Sequence, residues 1–149
     1  MIRYRRPKQD DAIIFRLIES ELVPLSSMDA AQIIEVKKSI PQRLTYGVTL
    51  VASVYYEDEP LGFVHFMLHG DLLYIDMLAV APSAQRKRWG NLLMAHAERF
   101  AQSRGCKRSK VMVDTNNTIG LIFYKKLGYS TPRPNSSSQY YELEKQLLH

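Results

Sequence analysis

Apolar positions along this chain recur first at helical and then at strand spacing. After a short β-like start, "IRYRRP", ending at Pro7, the residues Ile14, Leu17, Ile18 and Leu22 fall on one helical face. Asp10 or Asp11 supplies the expected N-cap and Pro24 the stop. Ser27 is the expected cap of a second helix over "MDAAQIIEVKKSI", which Pro41 ends. Three strands follow. "TLVASVYY" is β-branched and aromatic, "EDEP" turns, "LGFVHFML" returns, "HGD" turns again, and "LLYIDMLAV" runs to Pro82. Strict alternation along the third strand sets Leu73, Ile75, Met77 and Ala79 on one face. Tyr74, Asp76, Leu78 and Val80 take the other, with Asp76 as its lone charge.

From Trp89 the helical period returns, with Trp89, Leu93, His96, Ala97 and Phe100 as its stripe and Gly105 as its stop. "KRSKVMVD" reads as a strand. "TNNTIGLIFYKKLGY" reads as a helix with Ile119, Ile122, Phe123 and Leu127 inward and Gly128 as its stop. The loop "STPRPNSSS" leads to a last strand, "QYYELEK". The order β-α-α-β-β-β-α-β-α-β predicts an α/β fold: a mixed, mostly antiparallel central sheet flanked by helices. Without a repeat or a linker, residues 1–149 read as one domain, long enough to bury a core unaided.

Composition excludes little. The chain is 46% hydrophobic and 23% charged, which argues against disorder. Cys106 is the lone cysteine, so no intrachain disulfide can form and a reducing compartment is expected; a buried, inert thiol is its default. No apolar run has signal-peptide or membrane-spanning character, so the expected location is cytoplasmic, with no membrane partner. The net charge of +5 allows nucleic acid, an acidic surface or a polyanionic small ligand. Two basic clusters stand out, Arg3–Lys8 and Arg86–Arg88.

The second cluster is the informative one. In "VAPSAQRKRWGNLLM", three cations sit where a helix is about to begin, although a helix N-terminus already carries partial positive charge. An anionic ligand is the natural compensation, because successive N–H groups turning into a helix make a concave anion site.

The residues around this loop resemble those of the GNAT superfamily of acyl-CoA-dependent N-acetyltransferases. There a strand ending in V-x-P leads into a Gln/Arg-x-x-Gly-x-Gly/Ala loop that opens a helix. Here Val80 and Pro82 match, Gln85 takes the first loop position, Gly90 the last, and Arg88 stands where the family usually has its first glycine. Downstream, Asn117, Gly120, Tyr124, Gly128 and Tyr129 match a second family pattern. The resemblance implies an acetyl-CoA cosubstrate, with its pyrophosphate in the loop formed by Gln85, Arg86, Lys87, Arg88, Trp89, Gly90 and Asn91. It implies a strand that splays from its neighbour so that pantetheine pairs with the peptide groups of Leu78, Ala79 and Val80. If the glycine that Arg88 replaces has positive φ, the arginine costs on the order of 1 kcal/mol there.

Acetyl transfer to an amine needs a neutral nitrogen, a stabilised oxyanion and a protonated leaving thiolate. A lysine-like amine is only about 0.04% neutral at pH 7, so a base or a desolvating pocket must help. The resemblance makes Tyr124 the general acid; the alternative is packing beside Phe123. Asp76 is the candidate base through water, or else a structural carboxylate, and Tyr74 on the same face could hold that water instead. Asn117 serves the pantetheine arm, an N-cap, or both. His65 and His96 read as boundary-layer residues, and no metal-ligand spacing appears, so no metal is expected.

The resemblance puts the acceptor amine near Leu22–Asp29 and Ser130–Tyr140, the latter with Arg133, and does not name the acceptor. A homodimer stays open. One competing reading is a catalytically weak acyl-CoA-binding regulatory module. A second, nucleic-acid binding through the basic clusters, lacks an aromatic-interleaved basic surface and is not expected.

Overall fold

Six strands lie side by side in chain order: β1 (Ile2–Tyr4), β2 (Val48–Ala52), β3 (Gly62–His69), β4 (Leu72–Val80), β5 (Arg108–Asp114) and β6 (Tyr140–Gln146). The computed structural model describes residues 1–131 and 139–147. Every neighbouring pair is antiparallel except β4 and β5, which are parallel. Parallel neighbours need a crossover, and helix α3 (Trp89–Gln102) supplies it. Helices α1 (Pro7–Leu17), α2 (Ala30–Arg43) and α4 (Thr118–Lys126) complete the expected order of elements.

Two apolar cores lie on opposite faces of this sheet. One joins Ile14, Leu17, Ile18, Ile40 and Leu44 of the α1–α2 region to Val51, Phe63, Met77 and Ala79. The larger joins Leu93, Met94, Ala97 and Ala101 of α3 and Tyr124 of α4 to Leu50, Val64, Phe66, Leu73, Ile75, Val111 and Leu143. Each fully buried Phe or Leu in them contributes roughly 1.5–3 kcal/mol relative to exposure. Cys106 is buried here too, and burial raises its thiol above the ordinary value.

The cores expose a break in β4 that alternation alone does not reveal. Phe66 pairs with Ile75, but the preceding His65 pairs with Met77, so Asp76 is an extra, unpaired residue: a β-bulge. The strand's faces change sides there. Leu73 and Ile75 enter the α3 core, whereas Met77 and Ala79 enter the α1–α2 core and Leu78 and Val80 turn toward α3. The single apolar face expected from strict alternation is therefore two half-faces.

Helix boundaries also differ from expectation, each for a local reason. Neither Asp10 nor Asp11 caps α1: Arg6 holds the N-cap position, Pro7 occupies the first turn, and Asp10 lies inside the helix, fully buried. Its carboxylate accepts the Arg6 N–H (2.7 Å) and two bonds from Arg3 (2.7 and 2.9 Å). The helical path continues beyond Leu17 as a π turn, Ile18–Leu22, and a 3₁₀ turn, Val23–Leu25, that contains Pro24. The cap of α2 is Asp29, not Ser27. Asp29 accepts from the Gln32 N–H (2.8 Å) while Gln32 accepts from the Asp29 N–H (2.9 Å), a reciprocal capping box. Pro41 sits within the last turn of α2 instead of ending it.

β2 stops at Ala52, and Val54, Tyr55 and Tyr56 are exposed in the turn. On α4, Ile119 and Ile122 face solvent at 77% and 51% exposure, while Leu121, Phe123, Tyr124 and Leu127 turn inward. Gly105 (φ +86°) and Gly128 (φ +99°) follow α3 and α4 in the left-handed conformation that stops a helix.

Candidate active site

Pairing between β4 and β5 ends at Ile75 and Val111, although both strands continue to Val80 and Asp114. Beyond that point they diverge and a gap opens. Ala81 N–H donates to the Leu61 carbonyl (2.7 Å), and the β3–β4 register is unbroken from Gly62–Val80 to His65–Met77. Antiparallel alternation then turns the peptide groups of Ala79 toward β3 and those of Leu78 and Val80 into the gap. The Val80 carbonyl accepts from Gln85 Nε2 (2.9 Å), which also donates to Glu21 (2.9 Å). Gln85 thus ties the following loop to both β4 and the turn after α1.

That loop carries the sharpest backbone feature of the chain. Arg86 (φ +64°) and Arg88 (φ +65°) both adopt the left-handed conformation, separated by Lys87, and Arg88 is the N-cap of α3. Non-glycine residues rarely do this, and two in three residues mark a constrained segment. Alternation of left- and right-handed residues aims consecutive N–H groups into one concavity. Arg86, Lys87 and Arg88 are exposed, and among the described residues none of them forms an ion pair. The three arginines of the basic start differ: Arg3 pairs with Asp10, Arg5 with Asp11 (2.6 Å) and Arg6 with Glu57 (3.4 Å). Among the described residues, three adjacent cations without an ion pair therefore stand together at the start of α3.

Trp89 opens α3 and packs on the larger core, Gly90 follows it, and Asn91 is exposed. Gly90 has an identifiable neighbour. A Cβ there would lie 3.2–3.3 Å from the Phe123 ring and 3.9 Å from Val80, so the glycine lets α4 approach α3 beside the gap. Phe123 stacks edge-on against Tyr124 (centroids 5.1 Å apart), which meets Tyr129 in the same way (5.7 Å). Tyr124 is 8% exposed, and burial pushes its phenol well above the ordinary value. The proton stays on it across the physiological range.

Tyr129 plays a different part. Its hydroxyl donates to Glu98 (2.9 Å), so Ser109 must be the donor in its 2.7 Å bond to the same oxygen. Asn117 caps α4, accepting from the Gly120 N–H (2.9 Å), and its side chain lies where a Gly120 Cβ would be.

Asp76 stands at the fork, on the face opposite Tyr124. Its Oδ1 is 2.5 Å from Arg43 Nη2 at the end of α2. Its Oδ2 is buried without a partner, 3.8 Å from the equally unpartnered Nε2 of His65. His65 is fully buried rather than a boundary residue, and its Nδ1 is bonded to Thr49 (2.7 Å). Burial lowers the imidazole pKa, and although Asp76 opposes this, the ring is held toward its neutral form. Tyr74 is raised, first by burial and then by Asp76. His96 is half-buried, with Nδ1 2.9 Å from the Leu92 carbonyl. Among the described residues no helix is long and apolar enough to cross a membrane, and no cluster of three or more His, Cys, Asp or Glu is placed to hold a metal ion.

Asp114, which sequence reading passes over, organises the far side. At the end of β5 it accepts from the Ser27 N–H (2.7 Å), the Ser27 hydroxyl (2.8 Å) and the Asn116 N–H (2.9 Å). It thereby fastens the α1–α2 loop across the mouth of the gap. The expected acceptor segment Leu22–Asp29 lies along this loop; of the other, Arg133 and its neighbours at 132–138 lie outside the described residues.

The same architecture recurs in solved structures. The PaiA N-acetyltransferase of Thermoplasma acidophilum, in complex with coenzyme A, superposes with a TM-score of 0.79 at 18% identity over 98% of both chains. The ribosomal-protein-S18-alanine N-acetyltransferase of Escherichia coli gives 0.74 at 13% identity, covering 99% of this chain and 93% of that one. A GNAT-family acetyltransferase structure from Desulfovibrio desulfuricans gives 0.79 at 15% identity over 99% of both. At the level of sequence, no curated protein matches the chain. The model of the acetyltransferase (GNAT) family, however, matches residues 17–129, which span the fork, the basic loop and Tyr124. On that match, the chain belongs to the acetyltransferase (GNAT) family.

Proposed function

We propose that the chain transfers an acetyl group from acetyl-CoA to an amine, with Tyr124 as general acid and Asp76 as the base acting through water. The observation that carries this reading is the fork itself: peptide groups of β4 that no neighbouring strand pairs, the basic loop at the start of α3 and a buried, protonated phenol stand around one gap. Peptide groups of Leu78 and Val80 pair with the pantetheine amides as an added strand would, and one N–H of this edge steadies the oxyanion. Backbone N–H groups of the loop, with Arg86, Lys87 and Arg88, take the pyrophosphate and the ribose phosphate. Gln85, Trp89, Gly90 and Asn91 hold the loop and helix start in shape, and Asn117 keeps α4 in place beside the pantetheine arm.

In the reaction the acceptor ammonium first gives one proton to Asp76 through water. The neutral nitrogen attacks the thioester carbonyl, the C–S bond breaks, and Tyr124 hands its proton to the departing sulfur. The second nitrogen proton leaves to solvent, Tyr124 is reprotonated from solvent and Asp76 returns its proton to solvent, so one proton is released per turnover. Burial keeps the proton on Tyr124 but makes the phenol a weaker acid, so the transfer draws on the basicity of the sulfur as the C–S bond breaks.

Tyr124→Phe tests it. The ring and its contacts with Phe123 and Tyr129 survive, and kcat for free-thiol release falls roughly ten- to a thousand-fold. Coenzyme A affinity, read by calorimetry, changes by less than about 1.5 kcal/mol. A Phe variant with normal kcat assigns Tyr124 to packing. Absence of any melting shift with millimolar coenzyme A removes the cosubstrate reading itself, since a ligand of the native state must stabilise it. Coenzyme A binding without acetyl transfer to any amine favours the regulatory-module reading.

A further inference from the structure

A cleft of about 420 Å³ opens beside Asp76 on the α2 face of the sheet. Tyr46, Met67, Leu68 and His69 line it, and Arg43 and Asp76 meet at its inner end. Among the described residues Asp76 is its only acid and Arg43 its only arginine or lysine, so that lining carries one charge of each sign besides His69. The two are unequally held. The Asp76 side chain is 8% exposed and fixed in the bulge, whereas Arg43 is 37% exposed at the last residue of a helix. The guanidinium is the partner that can move.

An ammonium approaching Asp76 must displace Arg43 from Oδ1 and leave a second cation beside itself. A simple alkylamine or a polyamine therefore raises the local charge to +1 or more and meets repulsion within a few ångströms. A molecule that carries a carboxylate next to its amine brings a partner for each charge: ammonium to Asp76, carboxylate to Arg43 as a two-point bond. Met67 and the exposed ring of Tyr46, the apolar side chains on this side of the cleft, then face the remaining group.

Resting on the acetyltransferase reading above, we infer that the acceptor is an amine with a neighbouring carboxylate, a free α-amino acid with an apolar side chain, and that Arg43 is its specificity-determining residue. Arg43 swings from Asp76 to the substrate carboxylate as the acceptor enters. That movement frees Oδ1 to accept the ammonium proton through the water, so the acceptor itself uncovers the base. The products are the N-acetyl amino acid and coenzyme A, by the proton balance already given.

The test compares each acid with its decarboxylated counterpart: leucine with isoamylamine, methionine with 3-(methylthio)propylamine, phenylalanine with phenethylamine. Thiol release from acetyl-CoA gives kcat/KM, and melting of the coenzyme A-loaded protein gives binding independently of turnover. At least one acid is expected to exceed its amine by tenfold or more and to raise the melting temperature where the amine does not. Arg43→Gln lowers kcat/KM for that acid at least tenfold and narrows the acid-to-amine ratio toward one; Arg43→Lys restores part of it. Equal use of acid and amine by the wild type overturns the inference, as does binding of neither. An equal fall for both substrates in Arg43→Gln also overturns it, leaving Arg43 as a prop for Asp76. Turnover of amines alone leaves the acetyltransferase reading standing, whereas failure to bind coenzyme A removes that reading first.

Discussion

Arg88→Gly is expected to make the ligand-free protein more stable, an unusual outcome for removing a side chain at a site. Arg88 sits at φ +65°, where an L-residue pays on the order of 1–2 kcal/mol that glycine does not. Its charge also faces the positive end of α3 without an acidic partner, worth roughly another 0.3–1 kcal/mol. Against these, glycine frees the unfolded chain by about 0.4–1 kcal/mol. The balance is a gain of about 1 kcal/mol, which for a domain of this length raises the melting temperature by roughly 2–4 °C. Thermal melts and urea titration of the free protein read it directly, and Arg88→Ala separates the terms, since alanine loses the charge but keeps the strain. An Arg88→Gly protein that melts below the wild type refutes the reasoning, for it means that the side chain makes a stabilising contact outweighing both strain and charge.

Gly90→Val drives a branched side chain into the Phe123 ring, already 3.2 Å from where a Cβ would be, and lowers stability by about 1–3 kcal/mol in denaturant titration. Because Phe123 stacks on Tyr124, kcat falls as well; a variant with unchanged kcat shows that the Phe123 contact does not position the phenol. The Arg3–Asp10 pair makes stability acid-sensitive. Burial raises Asp10, but bonds from Arg3 and the Arg6 N–H, and the charges of Arg3 and Arg6, outweigh it and hold the carboxyl below its ordinary value of 3.8. Its contribution is therefore complete above the ordinary carboxylate range and is lost as pH falls through the lowered folded value. Asp10→Asn costs about 3–5 kcal/mol at pH 7, with the difference from wild type shrinking below about pH 4; a difference constant with pH assigns the loss to packing.

Much of this fold is written in spacing that a reader of the sequence can use, and the misses share a cause. Strand order, the α3 crossover and the glycine stops follow from periodicity and turn chemistry because each has a local signature. The capping box Asp29–Gln32 has one too, and Ser27 draws the eye only because it comes first; its side chain is instead bonded to Asp114, a contact 87 residues distant. On α4 the run Ile119–Phe123 is nearly all apolar, so spacing cannot choose its inner face; that choice belongs to Gly90, which admits Phe123. The site shows the same division. The basic loop and Tyr124 are legible through motif, whereas the partners of Asp76 come from α2 and β3 and depend on a bulge that no alternation announces.

That bulge also bears on how the chain tolerates changes in length. Elsewhere in the sheet, inserting or deleting one residue turns every following side chain to the wrong face. Within β4 the extra residue at Asp76 has already made that exchange, so Leu73 and Met77 serve different cores from one strand. Deleting Asp76 would restore an even pleat, keep the ladder to β3 and leave Met77 and Ala79 on the α1–α2 core with Leu78 and Val80 toward α3, so the only thing lost would be the unpaired residue whose carboxylate meets Arg43. Point substitutions at Asp76 leave the exchange in place. One residue of chain length, rather than any one side chain, decides whether β4 runs as an even pleat or carries a bulge at the fork.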